Sequence, residues 1–227
     1  MKRSIFLFGF LFTASLLFSV VTLHAQQHPP FWKDIQAFKK QDSIAPPPKN
    51  AILFIGSSSF TNWKDVQDYF PGYTIINRGF GGSTLPDLIR YADDVIFPYQ
   101  PKQIVIYCGD NDLASSKSIT ADSVLARFKT LYGMIRSELG KKVNVVYVAI
   151  KPSISRKHLM PEMEEANALI QDFLNKEKNT AFADVYHKML DENGQPMPDI
   201  FLADNLHMNA KGYAIWQKIL QPLLIKK

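Results

Sequence analysis

The apolar residues of this chain fall into two kinds of segment, which are short unbroken runs and longer stretches with helical spacing. Ile52-Leu53-Phe54-Ile55 is one unbroken run, and such runs are typical of strands buried on both faces of a sheet. The predicted strands cover residues 51–55, 74–77, 103–108, 143–150 and 180–185. The predicted helices lie near residues 62–70, 84–98, 120–139, 160–176 and 209–225. Strands that alternate with helices of this length predict right-handed βαβ crossovers and a parallel sheet covered on both faces, which is an α/β fold.

The first 25 residues have the pattern of a secretory signal peptide. Lys2 and Arg3 precede a mostly apolar run from Ile5 to Val21, and Leu23-His24-Ala25 offers a cleavage site before Gln26. An uncleaved membrane anchor is the alternative, because the apolar run is nearly long enough to span a bilayer. We therefore expect an exported protein, periplasmic or extracellular, with no stable membrane insertion after cleavage.

Residues 26–47 form an arm ahead of the main domain. Phe31 to Phe38 has the spacing of a short amphipathic helix, and Pro46-Pro47-Pro48 follows as a stiff spacer. We expect the arm to pack on the outside of a single domain that spans residues 48–227.

Composition and charge narrow the classes of function. The 227 residues are enough for one α/β domain, and the hydrophobic fraction of 46% is ordinary for a globular protein. The formal net charge is +5, and it falls to +3 when the segment that contains Lys2 and Arg3 is removed. The remaining charges are mixed in sign and form no basic stripe, which argues against a nucleic-acid partner. Cys108 is the only cysteine, so no intrachain disulfide can form, and its apolar surroundings predict a buried thiol.

Small polar residues and glycines follow the first two predicted strands. Gly56-Ser57-Ser58-Ser59 comes after the first strand, and the segment 77–84, which contains Gly79-Phe80-Gly81-Gly82, comes after the second. In open α/β sheets, ligands bind at the carboxyl ends of the strands. Glycines there allow positive φ and leave amide N–H groups free to point at a ligand. The spacing of these glycines matches neither a P-loop nor a dinucleotide fingerprint.

Two further stretches carry groups suited to acyl transfer. Asn111, in Gly109-Asp110-Asn111-Asp112 after the third strand, can offer its side-chain N–H groups to a developing oxyanion. Asp204 precedes His207 by three residues just before the last predicted helix, so its carboxylate can hold the imidazole Nδ1–H and leave Nε2 as a general base.

Taken together, the order and placement of these four stretches resemble the SGNH hydrolase family, also called GDSL-type esterases, across residues 50–225. The resemblance implies a flavodoxin-like three-layer α/β/α sandwich with a central, mainly parallel five-stranded sheet. It also implies ester hydrolysis through an acyl-enzyme, with no cofactor and no metal. By position it implies Ser58 as nucleophile, Asp204 and His207 as acid and base, and an oxyanion hole made by Ser58, Gly82 and Asn111.

Some choices within these motifs stay open at the level of sequence. The family's usual Gly-Asp-Ser is here Gly56-Ser57-Ser58, and the run of serines leaves Ser57 or Ser59 as alternative nucleophiles. The oxyanion glycine is likewise ambiguous within residues 79–82, with Gly82 favoured. His187 competes with His207, because Asp184 precedes it with the same spacing. We favour His207, since Asp184 falls inside the predicted fifth strand and Asp204 lies in a loop.

Three more residues are candidates for substrate contact. Lys151 and Arg156 belong to the loop after the fourth strand, where loops of this fold carry function, and both could contact an anionic or sugar-like substrate. Trp63 lies shortly after the serines and could stack on a sugar ring, although a packed position is its other interpretation. The polar loops predict a short acyl group, such as acetyl on a carbohydrate, as the substrate.

Two other classes of function compete with an esterase. One is a metal-dependent phosphoesterase that uses Asp110, Asp112, Asp204 and His207 as ligands. The other is an exported glycan-binding protein that keeps the fold with an inactive site. The full set of Ser58, Asn111, Asp204 and His207 argues against the second class.

Overall fold

A central sheet of five parallel strands organises the protein. The computed structural model describes residues 28–226, so the predicted signal peptide at residues 1–25 lies outside the described part of the chain. The strands run in the spatial order β2-β1-β3-β4-β5 and pair in parallel throughout. Their bounds are Ile52–Gly56 (β1), Ile75–Gly79 (β2), Gln103–Tyr107 (β3), Asn144–Val148 (β4) and Thr180–Ala183 (β5). The predicted parallel α/β sheet is confirmed.

The strand order reverses beside β1, and this reversal creates the position for a site. The chain leaves β1 to form β2 on one side and then returns to form β3 on the other, so Gly56 pairs with both Gly79 and Tyr107. The loops that leave these three strands therefore diverge from one carboxyl edge. Open α/β sheets bind ligands at such a switch point.

Helices cover both faces of the sheet, and several are shorter than the sequence pattern predicts. Within the predicted helix near residues 62–70, the structure has one single-turn helix at residues 66–69, and a second single turn precedes that range at residues 58–61. The predicted helix near 84–98 is broken at Tyr91 and ends in a 3-10 turn that contains Pro98. The prediction for 120–139 is confirmed, since Thr120 caps the first turn and Gly140 follows the last with φ 78°. The helices are Trp32–Ile44 (α1), Ser58–Thr61 (α2), Val66–Tyr69 (α3), Leu85–Arg90 (α4), Ala92–Val95 (α5), Asp110–Ser115 (α6), Ala121–Leu139 (α7), Met160–Leu174 (α8) and Ala210–Leu220 (α9). None of the helices in the described part of the chain is long and apolar enough to cross a membrane.

The core explains why the strands are unbroken apolar runs. All five residues of β1 and of β3 are buried, as expected for strands with helices on both faces. An aromatic cluster lies between β1 and α9, and Trp63 at its centre stacks on Tyr213 at a centroid distance of 4.7 Å. Trp63 has no exposed surface. The prediction that Trp63 stacks on a sugar ring is therefore wrong, and its packed interpretation holds.

The N-terminal arm packs along the edge of the sheet beside β2. Its helix α1 is longer than predicted and ends just before Pro46, because a residue that precedes proline disfavours helical backbone. Asp42 of α1 pairs with Arg78 of β2 and accepts a hydrogen bond of 2.6 Å from the hydroxyl of Tyr99. These contacts fix the arm on the domain, with its first residues directed toward the carboxyl edge of the sheet.

Candidate active site

The serine run lies where β1 turns sharply into α2. Gly56 has φ 143°, and a Cβ there would lie 1.8 Å from the carbonyl oxygen of Tyr107. Only glycine fits this position, because a side chain would collide with the backbone of β3. Ser57 then takes an extended conformation ahead of α2, and its carbonyl accepts hydrogen bonds from the amides of Phe60 and Thr61. This turn sets Ser58 at the first position of the helix.

The three serines differ in access and in partners. Ser57 is fully buried and Ser59 is only 3% exposed. Ser58 is partly exposed, and its Oγ lies 2.9 Å from Nε2 of His207. The hydroxyl of Tyr213 in α9 donates to the carbonyl of Ser59 over 2.9 Å and so holds the turn against the last helix. Of the three hydroxyls, the structure places that of Ser58 against an imidazole.

Asp204 and His207 lie in one tight loop ahead of α9. One oxygen of the Asp204 carboxylate accepts the backbone N–H groups of Leu206 and His207, each over 2.9 Å. The other oxygen lies 2.6 Å from Nδ1 of His207. Asn209 then caps α9 by accepting hydrogen bonds from the amides at its first turn. The loop therefore presents Nε2 of His207 toward Ser58.

Hydrogen bonding keeps Asp204 ionised. The imidazole of His207, and then the amides of Leu206 and His207, lower the pKa of Asp204 to about 2. The carboxylate is therefore charged at any pH at which the protein is expected to work. A charged carboxylate at Nδ1 fixes the ring tautomer and favours the imidazolium that forms when Nε2 takes a proton.

Backbone amides at the start of α2 and in the glycine loop are candidate donors to an oxyanion at Ser58. Within residues 28–226, the backbone amides of Ser58 and Gly82 donate no hydrogen bond. Gly82 has φ 86°, a conformation that L residues rarely adopt, and a Cβ on the adjacent Gly81 would lie 3.7 Å from the Cβ of Ser58. The glycine loop thus lies directly against the serine, with amide donors free to bind an anion.

Asn111 completes this group of donors from the start of α6. Its Nδ2 donates to the carbonyl of Ser83 over 3.1 Å, which leaves the second hydrogen of the amide free. No helix was predicted at residues 109–112, whereas in the structure α6 begins at Asp110. Gly, Asp and Asn favour turns, and they also suit the first positions of a helix, so the sequence did not distinguish the two.

The N-terminal arm reaches this site, which the sequence did not predict. The ring of Phe31 packs edge-on against Phe80 with centroids 5.3 Å apart, and it would lie 3.9 Å from a Cβ on Gly82. The carbonyl of Pro30 accepts a hydrogen bond of 2.6 Å from the hydroxyl of Tyr91. The arm therefore supplies an aromatic wall beside the glycine loop.

The rival pair, Asp184 and His187, forms the same local hydrogen bond, but no serine hydroxyl within residues 28–226 bonds to His187. Nδ1 of His187 lies 2.8 Å from Asp184, and Nε2 faces Glu164 at 3.9 Å. Contrary to our prediction, Asp184 does not lie inside the fifth strand, since β5 ends at Ala183. What separates the two pairs is the partner of Nε2, which is a carboxylate for His187 and the Ser58 hydroxyl for His207.

Lys151 does not face a substrate, contrary to our prediction. Its side chain is buried, and Nζ donates to the carbonyl of Leu206 over 2.8 Å, inside the loop that carries the histidine. Burial lowers the pKa of Lys151 to about 8, while the nearby carboxylates of Asp110 and Asp204 act to raise it. The ammonium group therefore holds the backbone of the Asp204–His207 loop through this hydrogen bond.

Burial of Lys151 predicts a specific dependence of stability on pH. Because its pKa is lower in the folded state than the ordinary lysine value of 10.5, the unfolded chain binds more protons between about pH 8 and that value. Folding stability contributed by this group therefore rises with pH across that window. Between about pH 8 and pH 10.5, the free energy of unfolding of the wild-type protein should rise by roughly 3 kcal/mol more than that of Lys151→Met, as measured by urea denaturation at each pH. Curves that stay parallel would contradict this, and Lys157→Met, at an exposed neighbour, is the matched control.

Arg156 is also bound within the protein and does not point at a substrate. Nη1 donates to Asp110 over 2.9 Å and Nη2 donates to Oδ1 of Asn111 over 2.8 Å. Its side chain is 18% exposed. Arg156 does not have the predicted role in substrate contact. It connects the loop after β4 to the start of α6, and no local sequence signal indicates this connection.

The ligand set of the metal-dependent alternative is not assembled. Asp110 pairs with Arg156, and the buried carboxylate of Asp112 pairs with Arg127 over 2.7 Å and caps α4 through the amide of Leu85. In the part of the chain that the structure describes, no three His, Cys, Asp or Glu side chains are grouped so that they could hold a metal ion. The residues present do not fit a divalent site.

The sequence matches a family of enzymes that act on ester bonds. Residues 46–215 match the GDSL-like lipase/acylhydrolase family. A search of curated proteins found none that matches the chain.

Solved structures share the fold at low sequence identity. A provisionally assigned acylhydrolase from Bacteroides fragilis has a TM-score of 0.73 at 19% identity, over 85% of this chain and 96% of that one. A GDSL-like lipase from Bacteroides thetaiotaomicron has a TM-score of 0.69 at 16% identity, over 83% and 96%. A catalytic mutant of an acetylxylan esterase from Geobacillus stearothermophilus has a TM-score of 0.63 at 13% identity, over 80% and 96%. The chain belongs to the GDSL-like lipase/acylhydrolase family and is a carboxylic ester hydrolase.

Proposed function

We propose that the protein is an exported serine esterase that removes short acyl groups, acetyl above all, from carbohydrate esters. One observation carries the mechanism, which is the continuous chain of contacts from Asp204 to Nδ1 of His207 at 2.6 Å and from Nε2 to Oγ of Ser58 at 2.9 Å. A serine hydroxyl is a weak nucleophile at neutral pH and needs a base within this distance.

The proposed acylation step begins at the Ser58 hydroxyl. Oγ of Ser58 attacks the acyl carbonyl carbon while Nε2 of His207 takes its proton. The carbonyl oxygen becomes an oxyanion, which the amides of Ser58 and Gly82 and the free N–H of Asn111 are placed to bind. When the intermediate collapses, the C–O bond to the alcohol breaks and His207 returns the proton to the leaving oxygen.

Deacylation repeats these steps with water. His207 takes a proton from water as the water oxygen attacks the acyl-Ser58 carbon. Collapse of the second intermediate releases the carboxylic acid and restores the serine hydroxyl. Because hydrogen bonding lowers the pKa of Asp204 to about 2, protonation of this carboxylate should not be what ends activity as the pH is lowered.

Two observations support a short acyl group on a polar alcohol. The imidazole of His207 lies against the Ser58 hydroxyl, and the backbone of the glycine loop, which is polar, packs beside Ser58. The similarity to an acetylxylan esterase supports a carbohydrate substrate. Export is supported by the pattern of residues 1–25.

An acyl-chain series tests the substrate class. We expect kcat/KM for p-nitrophenyl acetate to exceed that for the octanoate ester by roughly 10-fold or more, and acetylated xylo-oligosaccharides to release acetate. A preference for octanoate would contradict the proposed acyl group.

Two further measurements test the alternative functions. Esterase activity should persist in chelator, and its loss there would favour the metal-dependent phosphoesterase. A protein that bound glycans without turning over any ester would point to the binding-protein alternative.

A further inference from the structure

Asn111 presents a donor to the proposed oxyanion only in one of its two amide orientations. A side-chain amide can rotate by half a turn, which exchanges its N–H₂ group with its carbonyl oxygen at almost no change in shape. With the oxygen turned toward the site, it would repel the oxyanion. Something in the structure must therefore select the productive orientation.

Two contacts on either side of the amide make this selection. Nδ2 donates to the carbonyl of Ser83 over 3.1 Å, and Oδ1 accepts from Nη2 of Arg156 over 2.8 Å. In the rotated state, Oδ1 would face the carbonyl oxygen of Ser83 and Nδ2 would face the guanidinium. Both contacts would then be repulsive, so the productive orientation is favoured twice.

Arg156 is itself held so that it can make this contact. Its Nη1 donates to Asp110 over 2.9 Å, and the Asp110 carboxylate is buried. The other oxygen of Asp110 accepts the backbone amide of Asn111 over 3.0 Å. The planar guanidinium thus bridges two consecutive residues of α6, a fork geometry that a lysine cannot reproduce.

The loop that carries Arg156 also holds the loop that carries the base. The amide of Ser155 donates to the carbonyl of Asn205 over 3.1 Å, and Lys151 donates to that of Leu206. One segment, residues 151–156, therefore connects the Asn111 amide to the Asp204–His207 loop.

We propose that Arg156 is a positioning residue that fixes the Asn111 amide and strengthens it as an oxyanion donor. A cationic hydrogen bond to the amide oxygen polarises the amide and makes its N–H a better donor, as in other hydrogen-bonded chains. Arg156 touches no reacting atom, and its effect passes through Asn111. This inference rests on the proposed function and adds the residue that sets the geometry of the oxyanion site.

A double-mutant cycle between Arg156 and Asn111 tests the proposal. We expect Arg156→Met to lower kcat for p-nitrophenyl acetate by about 10- to 100-fold, with KM within about threefold of wild type. Asn111→Ala should lower kcat by roughly 10²- to 10³-fold. The double variant should be no slower than Asn111→Ala alone, because Arg156 has nothing left to orient. The rate of labelling by a serine-directed phosphonate, whose P=O oxygen gains negative charge as Oγ attacks and the leaving group departs, should follow the same order.

Controls separate positioning from charge and from folding. Lys157→Met removes an exposed positive charge next in sequence and should leave kcat unchanged. Arg156→Lys should recover only part of the loss. Thermal unfolding of each variant shows whether it is folded at the assay temperature.

Several outcomes would overturn the inference. Losses that multiply in the double variant would show that Arg156 acts independently of Asn111. A raised KM with unchanged kcat would show a substrate contact, and equal losses in Lys157→Met would show a general charge effect. If Ser58→Ala kept its activity, the proposed function would fail as a whole. If Ser58→Ala were inactive and only the coupling to Asn111 were missing, this inference would fail alone.

Discussion

Ser58→Ala should lower kcat for p-nitrophenyl acetate by roughly 10⁴- to 10⁶-fold and abolish labelling by a serine-directed phosphonate probe. The Ser58 hydroxyl is the one that lies 2.9 Å from the His207 imidazole, at the start of α2 and beside the glycine loop. Without Oγ, no acyl-enzyme can form. The oxyanion donors would remain, so a small residual acceleration over the uncatalysed reaction is expected.

The neighbouring serines provide matched controls. Ser57→Ala removes a hydroxyl that is buried without a hydrogen-bond partner in the described part of the chain, so it should keep both turnover and labelling. Ser59→Ala leaves in place the backbone carbonyl that Tyr213 binds, and its activity should stay within a few-fold of wild type. Turnover that survives in Ser58→Ala but disappears in either neighbour would move the nucleophile to that serine.

The parts of the fold that could be read from the sequence are those encoded locally. The strand Ile52–Gly56 is an unbroken apolar run because both of its faces are covered, and the run ends at a glycine that β3 approaches too closely for any side chain. The helix Ala121–Leu139 carries its own capping residues. These features depend on residues adjacent in sequence, and they were predicted to within one or two positions.

Features set by tertiary contacts could not be read in the same way. Trp63 and Lys151 are residue types that a surface site would use, and both are buried by elements far along the chain. Arg156 meets its partner Asn111 from 45 positions away. Asp184–His187 and Asp204–His207 have the same spacing and the same hydrogen bond, so no local pattern separates them. Only the position of β1 relative to the last loop shows which histidine faces a serine.

The second large effect on kcat is expected from replacing His207, the proposed general base. His207→Gln should lower kcat for p-nitrophenyl acetate by about as much as Ser58→Ala, roughly 10⁴- to 10⁶-fold. The glutamine side chain is similar in size to the imidazole but has no basic nitrogen to take the Ser58 proton. The variant that combines Ser58→Ala with His207→Gln should be no slower than either single change, because the two residues act as one catalytic unit.

His187→Gln is the matched control for this substitution. Each histidine has an aspartate three residues before it that contacts its Nδ1, and for His187 this is Asp184 at 2.8 Å. His187 is more exposed than His207, and the two changes remove equivalent local contacts. Its kcat and its phosphonate labelling should equal those of wild type, because its Nε2 faces Glu164 and not a hydroxyl. If His187→Gln were the inactive variant and His207→Gln the active one, proton transfer would have to run through a histidine that bonds to no serine among residues 28–226, and the proposed mechanism would be wrong.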